Sequence, residues 1–207
     1  MDAILPNAAY LWRDDLPTAD DYSQLLEAHG FHVDLIPLAN VPTTNWSRYS
    51  LALIGPETGA DASWGTPQAV AVLAQYRVPI LGLGEGGYAL FGELGLAIGY
   101  PHGWHGAETR TCAMDTAHQV LNGPYDIPMP RERVVTLYKH TNHVGIQVLR
   151  PSSDLTLLGR EPADQVHYNL IQQTSRYLLW GFDAGPAAMT ADGWHLFVNV
   201  ARYLAGW

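Results

Sequence analysis

Between residues 79 and 94 an apolar run, Pro79-Ile-Leu-Gly-Leu83, passes through Gly84-Glu85-Gly86-Gly87 and directly into Tyr88-Ala-Leu-Phe-Gly-Glu-Leu94. A short apolar run without polar alternation reads as a strand buried on both faces, and the run behind it reads as a helix. The chain must therefore make a tight strand-to-helix turn through glycine, and strands of this kind belong to parallel sheets clad by helices.

The rest of the chain fits that frame. Ala8–Trp12 reads as a strand and Asp20–His29 as a helix stopped by Gly30. Phe31–Pro37 alternates as a strand, Leu51–Ile54 is an apolar strand ending at Gly55-Pro56, and Glu57–Gly65 is a long polar loop. Pro67 opens a helix over QAVAVLAQY, and the strand at residues 79–83 follows. This alternation predicts an α/β fold, a doubly wound, mostly parallel sheet with helices on both faces. After residue 95 the chain is β-richer, with strands expected at Arg110–Ala113, Val134–Tyr138, Val144–Leu149, Leu155–Leu158 and Tyr177–Trp180. A closing helix over Thr190–Leu204 places Trp194, Leu196, Phe197, Val200 and Leu204 near one face. Its 207 residues suit one domain spanning 1–207.

Two known devices use a strand–glycine–helix junction. One is the nucleophile elbow, in which a strained turn lifts a side chain above the sheet, and Gly84 falls on the nucleophile position. The other is the dinucleotide fingerprint G-x-G-x-x-G, which residues 82–87 satisfy literally. That fingerprint needs an acid at the end of the next strand, and the following segment, Leu96-Ala-Ile-Gly-Tyr100 and Pro101-His-Gly-Trp104, supplies none.

The stretch PILGLGEGGYALFGELG resembles the segment around the active cysteine of class I glutamine amidotransferase-like domains, with Gly84 in place of the cysteine. Leu51–Pro56, LALIGP, resembles the strand and Gly-Pro loop that supplies an oxyanion donor in that family. Trp180–Ala187, WGFDAGPA, resembles its G-x-Q-x-H-P-E element, with Gly185 at the histidine and Ala187 at the carboxylate. The tail of the chain is also similar to the end of ThuA-like and galactosidase trimerisation-like members. The resemblance implies a flavodoxin-like fold in which no catalytic position survives.

A glycine at the elbow keeps the backbone turn and deletes the thiolate on which acyl transfer depends. What remains is a helix N-terminus, where backbone N–H groups favour anions or carbonyl oxygens and where the Glu85 carboxylate is itself a candidate cap. Ligands of open α/β sheets bind at the carboxyl ends of the strands, so the loops after Ile54, Leu83 and Phe182 are the places to search. The expected lining is Gly55, Glu57, Gly84, Glu85, Gly86, Tyr88, His102, His105 and Asp183. Glu57, Glu85 and Asp183 facing one cleft would also be an acid/base set.

Other reactive side chains read as structural. His102/His105 and His140/His143 have three-residue spacing, but proline and glycine put the first pair in a loop and the second sits at a strand end. Neither pair gains the common helix face that would gather a metal, so no metal and no cofactor is expected. Cys112, among apolar neighbours in a strand, reads as a small buried hydrophobe, and His118 as part of a turn.

Charge excludes a further class. With 11 Lys+Arg against 20 Asp+Glu the net charge is −9, and the basic clusters that nucleic acid requires are missing. A single cysteine fits a reducing compartment. The first twelve residues lack a basic leader and a membrane-length apolar run, so a cytoplasmic protein off the membrane is expected. Seven Trp and eleven Tyr make a homo-oligomer plausible. The chain thus reads as a catalytically degenerate amidotransferase-like domain that binds a small molecule or a protein partner; the alternative is a hydrolase using Glu85, Glu57 or Asp183 on a sugar or amide.

Overall fold

The computed structural model describes residues 5–60 and 63–207, so residues 1–4 of the leader reading and residues 61–62 of the expected loop lie outside the described residues. The strands are β1 (Asn7–Trp12), β2 (His32–Pro37), β3 (Leu51–Ile54), β4 (Gly59–Ala60), β5 (Ser63–Trp64), β6 (Ile80–Leu83) and β7 (Gly103–Gly106), then β8 (Arg110–Ala113), β9 (Val134–Thr136), β10 (His143–Gln147), β11 (Leu155–Arg160), β12 (His167–Gln173) and β13 (Tyr177–Trp180). The α-helices are α1 (Leu16–Glu27), α2 (Pro67–Gln75), α3 (Gly84–Glu93), α4 (Gln119–Asn122) and α5 (Ala191–Ala205).

The α/β, doubly wound reading holds. Strands β2-β1-β3-β6-β13 lie side by side in parallel, and the sheet continues through antiparallel β12, β11, β8 and β9, with β10 and β7 branching from β12. This antiparallel extension is the β-richer half. Strands β3 and β6 are buried at every position, as a strand covered on both faces requires.

Side chains alternate between two apolar layers. Leu51 and Leu53 join Tyr22, Leu26, Leu196 and Phe197 from α1 and α5 on one face. Ala52 and Ile54 join Leu73, Leu90 and Phe91 from α2 and α3 on the other. Each fully buried Leu or Phe contributes about 1.5–3 kcal/mol, so these two layers hold the helices to the sheet.

Helix ends are written locally. The side chains of Asp15, Thr66 and Thr190 accept the N–H groups of Thr18, Ala69 and Gly193, and Gly206 closes α5 in the left-handed conformation. The Asp15 cap starts α1 at Leu16, four residues ahead of the expected Asp20. Likewise α3 spans Gly84–Glu93 and so takes in the glycine run ahead of the expected start at Tyr88. In α5, Leu196, Phe197, Val200 and Leu204 are buried, whereas Trp194 turns outward and donates to Pro186 O at 2.7 Å.

Two strands escape the periodicity. β12 carries Asn169 and Gln172 inside the sheet, where Asn169 holds Thr111 Oγ1 at 2.8 Å and Arg110 O at 2.9 Å, and Gln172 accepts from Tyr203 OH. Buried polar residues with hydrogen-bond partners cost little, and both erase the apolar signal, although Gln172 is paired only through its oxygen and its Nε2 has no partner among the described residues. β7, GWHG, is held as a strand by pairing with β10. Within the expected polar loop, β4 and β5 form a small hairpin that buries Trp64. Cys112 is half-buried on the outward side of β8, since Thr111 and Ala113 take the inner face. Among the described residues no helix is long and apolar enough to cross a membrane.

Candidate functional site

The site lies over the carboxyl ends of β1, β3, β6 and β13. Parallel pairing sets Trp180 beside Leu83, so the chain leaves β13 next to the start of α3. Asp183, three residues on, folds over the elbow and its Oδ1 accepts the Glu85 N–H at 2.8 Å. Gly84 has φ of +43°, a left-handed conformation that suits glycine. A Cβ built there would stand 1.9 Å from Asp183 Oδ1, so the carboxylate fills the space where a nucleophile's side chain would begin.

The other glycines serve close packing. A Cβ on Gly86 would lie 2.0 Å from Gly55 O, and one on Gly87 would lie 2.3 Å from the carbonyl carbon of Gly82. The start of α3 is thereby pressed onto β6 and the Gly55-Pro56 loop, which accounts for the G-x-G-x-x-G spacing without a nucleotide. Gly55 O also accepts Thr58 Oγ1 at 2.6 Å, and Thr58 Oγ1 accepts Trp64 Nε1 at 2.9 Å, locking the loop from below.

An elbow forms an oxyanion hole from the N–H after the nucleophile and a second loop N–H. Here the first, on Glu85, is held by Asp183, and the Gly55 N–H donates to Leu11 O at 2.9 Å. Both donors are spent inside the chain.

Two adjoining spaces share Glu85, Asn142 and Asp183. The larger, about 890 Å³, is walled by Tyr88, Tyr100 and His105. The smaller, about 330 Å³, is walled by Asp15, Thr18, Pro56 and Glu57. His105, on β7, meets Glu85 Oε2 through Nε2 at 2.6 Å on the open side. Tyr88 is fixed by its hydroxyl, which accepts the Gly103 N–H at 3.0 Å, and its ring stands edge-on to Tyr100 and His105. Glu57 Oε1 accepts the Arg13 N–H at 3.1 Å, while Oε2 is buried and has no hydrogen-bond partner among the described residues. Burial raises the Glu57 carboxyl above its ordinary range, and burial, reinforced by the Glu85 charge, raises Asp183 to about 6 against the pull of the Glu85 N–H.

Of the residues expected to line a site, Glu57, Glu85, Tyr88, His105 and Asp183 come together around these spaces, with Gly55, Gly84 and Gly86 as their floor. His102 is exposed on the turn before β7 and is not among the residues lining either space. Gly185 lies against Thr18, next to the smaller space, but Ala187 faces a groove between α1 and α5 with Leu25 and Trp194. Asp15, Thr18, Tyr100 and Asn142 were not legible as site residues; Asn142 lies within the His140–His143 stretch read as structural.

His143 itself is buried. Its Nδ1 accepts the Glu108 N–H at 3.0 Å, so Nε2 carries the hydrogen and faces Glu161 Oε1 at 2.9 Å. The approach is short but poorly aligned, an electrostatic contact more than a hydrogen bond. Glu161 Oε1 also accepts Trp104 Nε1 at 2.9 Å, tying β7 and β10 together behind the site. Among the described residues no group of three His, Cys, Asp or Glu side chains is arranged to hold a metal ion.

The fold is that of class I glutamine amidotransferase-like structures. A putative GMP synthase component from Thermoplasma acidophilum superposes over 98% of this chain and 96% of its own, with a TM-score of 0.59 and 12% identity. PurLQS from Thermotoga maritima matches over 97% and 100%, at 0.55 and 15% identity. A glutamine amidotransferase from Methylobacillus flagellatus matches over 96% and 94%, at 0.53 and 12% identity. No protein-family model and no curated protein sequence matches the chain.

Proposed function

We propose that this chain is a glutamine amidotransferase-like domain, one unit over residues 1–207, that has lost glutaminase chemistry and binds a small molecule in the cleft between Glu85 and Asp183. The observation that carries this is the Asp183 carboxylate standing on Gly84 and accepting the Glu85 N–H. It removes the space for a thiolate and one oxyanion donor together, and acyl transfer needs both. Gly84 then stands for the amidotransferase cysteine and Gly185 for its histidine, Ala187 faces away from the elbow, and a ThuA-like or galactosidase trimerisation-like lineage fits that loss. A regulatory or accessory role in the cytoplasm is part of the proposal; it needs neither cofactor nor nucleic acid.

The test is a glutaminase assay on wild type and Gly84→Cys, beside a thermal-shift screen of amino acids, sugars and amines. Neither protein should release ammonia from glutamine, and a cleft ligand should raise the melting temperature of wild type, since a ligand of the native state stabilises it. Glutaminase activity in wild type would overturn the proposal.

A second reading is favoured by one observation. Asp183 is raised to about 6 beside Glu85, and two carboxyls held at different protonation are the usual means of general acid/base hydrolysis. A glycosidase and amidase screen tests it: activity abolished by both Asp183→Asn and Glu85→Gln supports a hydrolase, and a blank screen leaves the binding domain.

A further inference from the structure

An amidotransferase-type elbow is built to receive negative charge. In this chain the same place is already filled by a carboxylate, and the consequence is a change in the sign of what the cleft accepts. The Glu85 N–H is held by Asp183 Oδ1 at 2.8 Å and the Gly55 N–H by Leu11 O at 2.9 Å, so an incoming carboxylate finds neither donor free. It would also meet Asp15, Glu57, Glu85 and Asp183 around the smaller space.

Positive charge nearby is committed elsewhere. His105 is paired to Glu85 from the open side, and the Arg13 guanidinium donates to Asp14 Oδ2 at 2.6 Å. One acid lacks an internal partner on one side: Glu57 Oε2 is buried and unpartnered among the described residues. A buried acceptor left unpaired is unfavourable, and a donor that reaches it relieves that cost. The larger space adds the rings of Tyr88 and Tyr100, and aromatic walls beside carboxylates attract organic cations.

We propose that the cleft takes a small organic cation, with an ammonium group in the chamber of Glu57 and Asp183 and its alkyl part against Tyr88 and Tyr100. This rests on the cleft being the binding site proposed above and adds the chemical class of its ligand.

The experiment is a two-dimensional amide NMR titration at about pH 7.5, where Asp183 is ionised, using three probes with the same four-carbon backbone: putrescine, its diol analogue and succinate. Putrescine should shift the amides of Glu85, Gly86, Asn142 and Asp183 saturably. The diol and succinate should bind at least about ten-fold more weakly, and Glu57→Gln and Asp183→Asn should each weaken putrescine about five- to ten-fold. The diol or succinate binding as tightly at those amides would overturn the cation and leave the binding site standing. No shift there with any of the three would overturn the site as well. Putrescine shifts unchanged by both substitutions would mean surface charge attraction only, which also overturns the inference.

Discussion

Asp183 Oδ1 and the α-carbon of Gly84 occupy neighbouring space so closely that a single added methyl on Gly84 would meet the oxygen at 1.9 Å. The two residues are 99 positions apart in the sequence, and the carboxylate depends on the glycine's bareness as much as the elbow depends on its positive φ.

Gly84→Ala is expected to destabilise the fold by about 3 kcal/mol, combining the left-handed backbone with the collision. In an Asp183→Ala background the same substitution should cost only about 1–2 kcal/mol, because the collision is gone and the backbone strain remains. Urea unfolding of the four proteins measures the coupling. Additive costs would show that Asp183 does not stand over Gly84 in solution.

The Asp183 carboxyl also links stability to pH. Its folded value is about 6 against an ordinary 3.8, raised chiefly by burial, so folding favours the protonated form. The stabilising contribution is complete below pH 3.8 and is lost as pH rises through about 6. That gap corresponds to at most about 3 kcal/mol. Asp183→Asn keeps an oxygen for the Glu85 N–H and cannot ionise, so it should gain on wild type by up to that amount between about pH 4 and about pH 7.5. Parallel stability curves for the two proteins would assign the titration to another group.

Behind the site, Glu161 faces His143 and accepts from Trp104 with almost no exposure. Glu161→Ala should cost about 1–3 kcal/mol by leaving His143 buried without its partner, and Glu161→Gln, which keeps an acceptor, less than half as much. Chemical denaturation followed by tryptophan fluorescence reads both. An alanine variant within about 1 kcal/mol of wild type would show that β7 and β10 do not rely on this contact.

Gly86→Ala separates packing from nucleotide binding as the reason for the glycine run. Its Cβ would sit 2.0 Å from the Gly55 carbonyl, a backbone atom with little room to move. A loss of about 3 kcal/mol or more is expected, with no effect of NAD or ATP on the melting temperature of either protein. Stabilisation of wild type by either nucleotide would restore the fingerprint reading.

The sequence by itself determined the parallel half of the fold. Apolar runs at Ala8–Trp12, Leu51–Ile54 and Pro79–Leu83, helices with capping residues between them, and the glycine turn after Leu83 are local signals, and local hydrophobic period and turn chemistry are what a sequence displays directly. It also showed that no thiol stands at the elbow, and it marked Glu57, Glu85 and Asp183 as facing one cleft. The sequence did not display β12, whose Asn169 and Gln172 look polar until Thr111 and Tyr203 pair with their side-chain oxygens inside the sheet, nor β7, which is a strand only because β10 lies beside it. Tertiary structure alone decided that Asp183 fills the elbow, that His105 crosses to Glu85 and that His143 is buried against Glu161. Each of these pairs joins residues 18 to 98 positions apart through strand register, and register is fixed by the packing of the whole sheet, not by the residues that end up in contact.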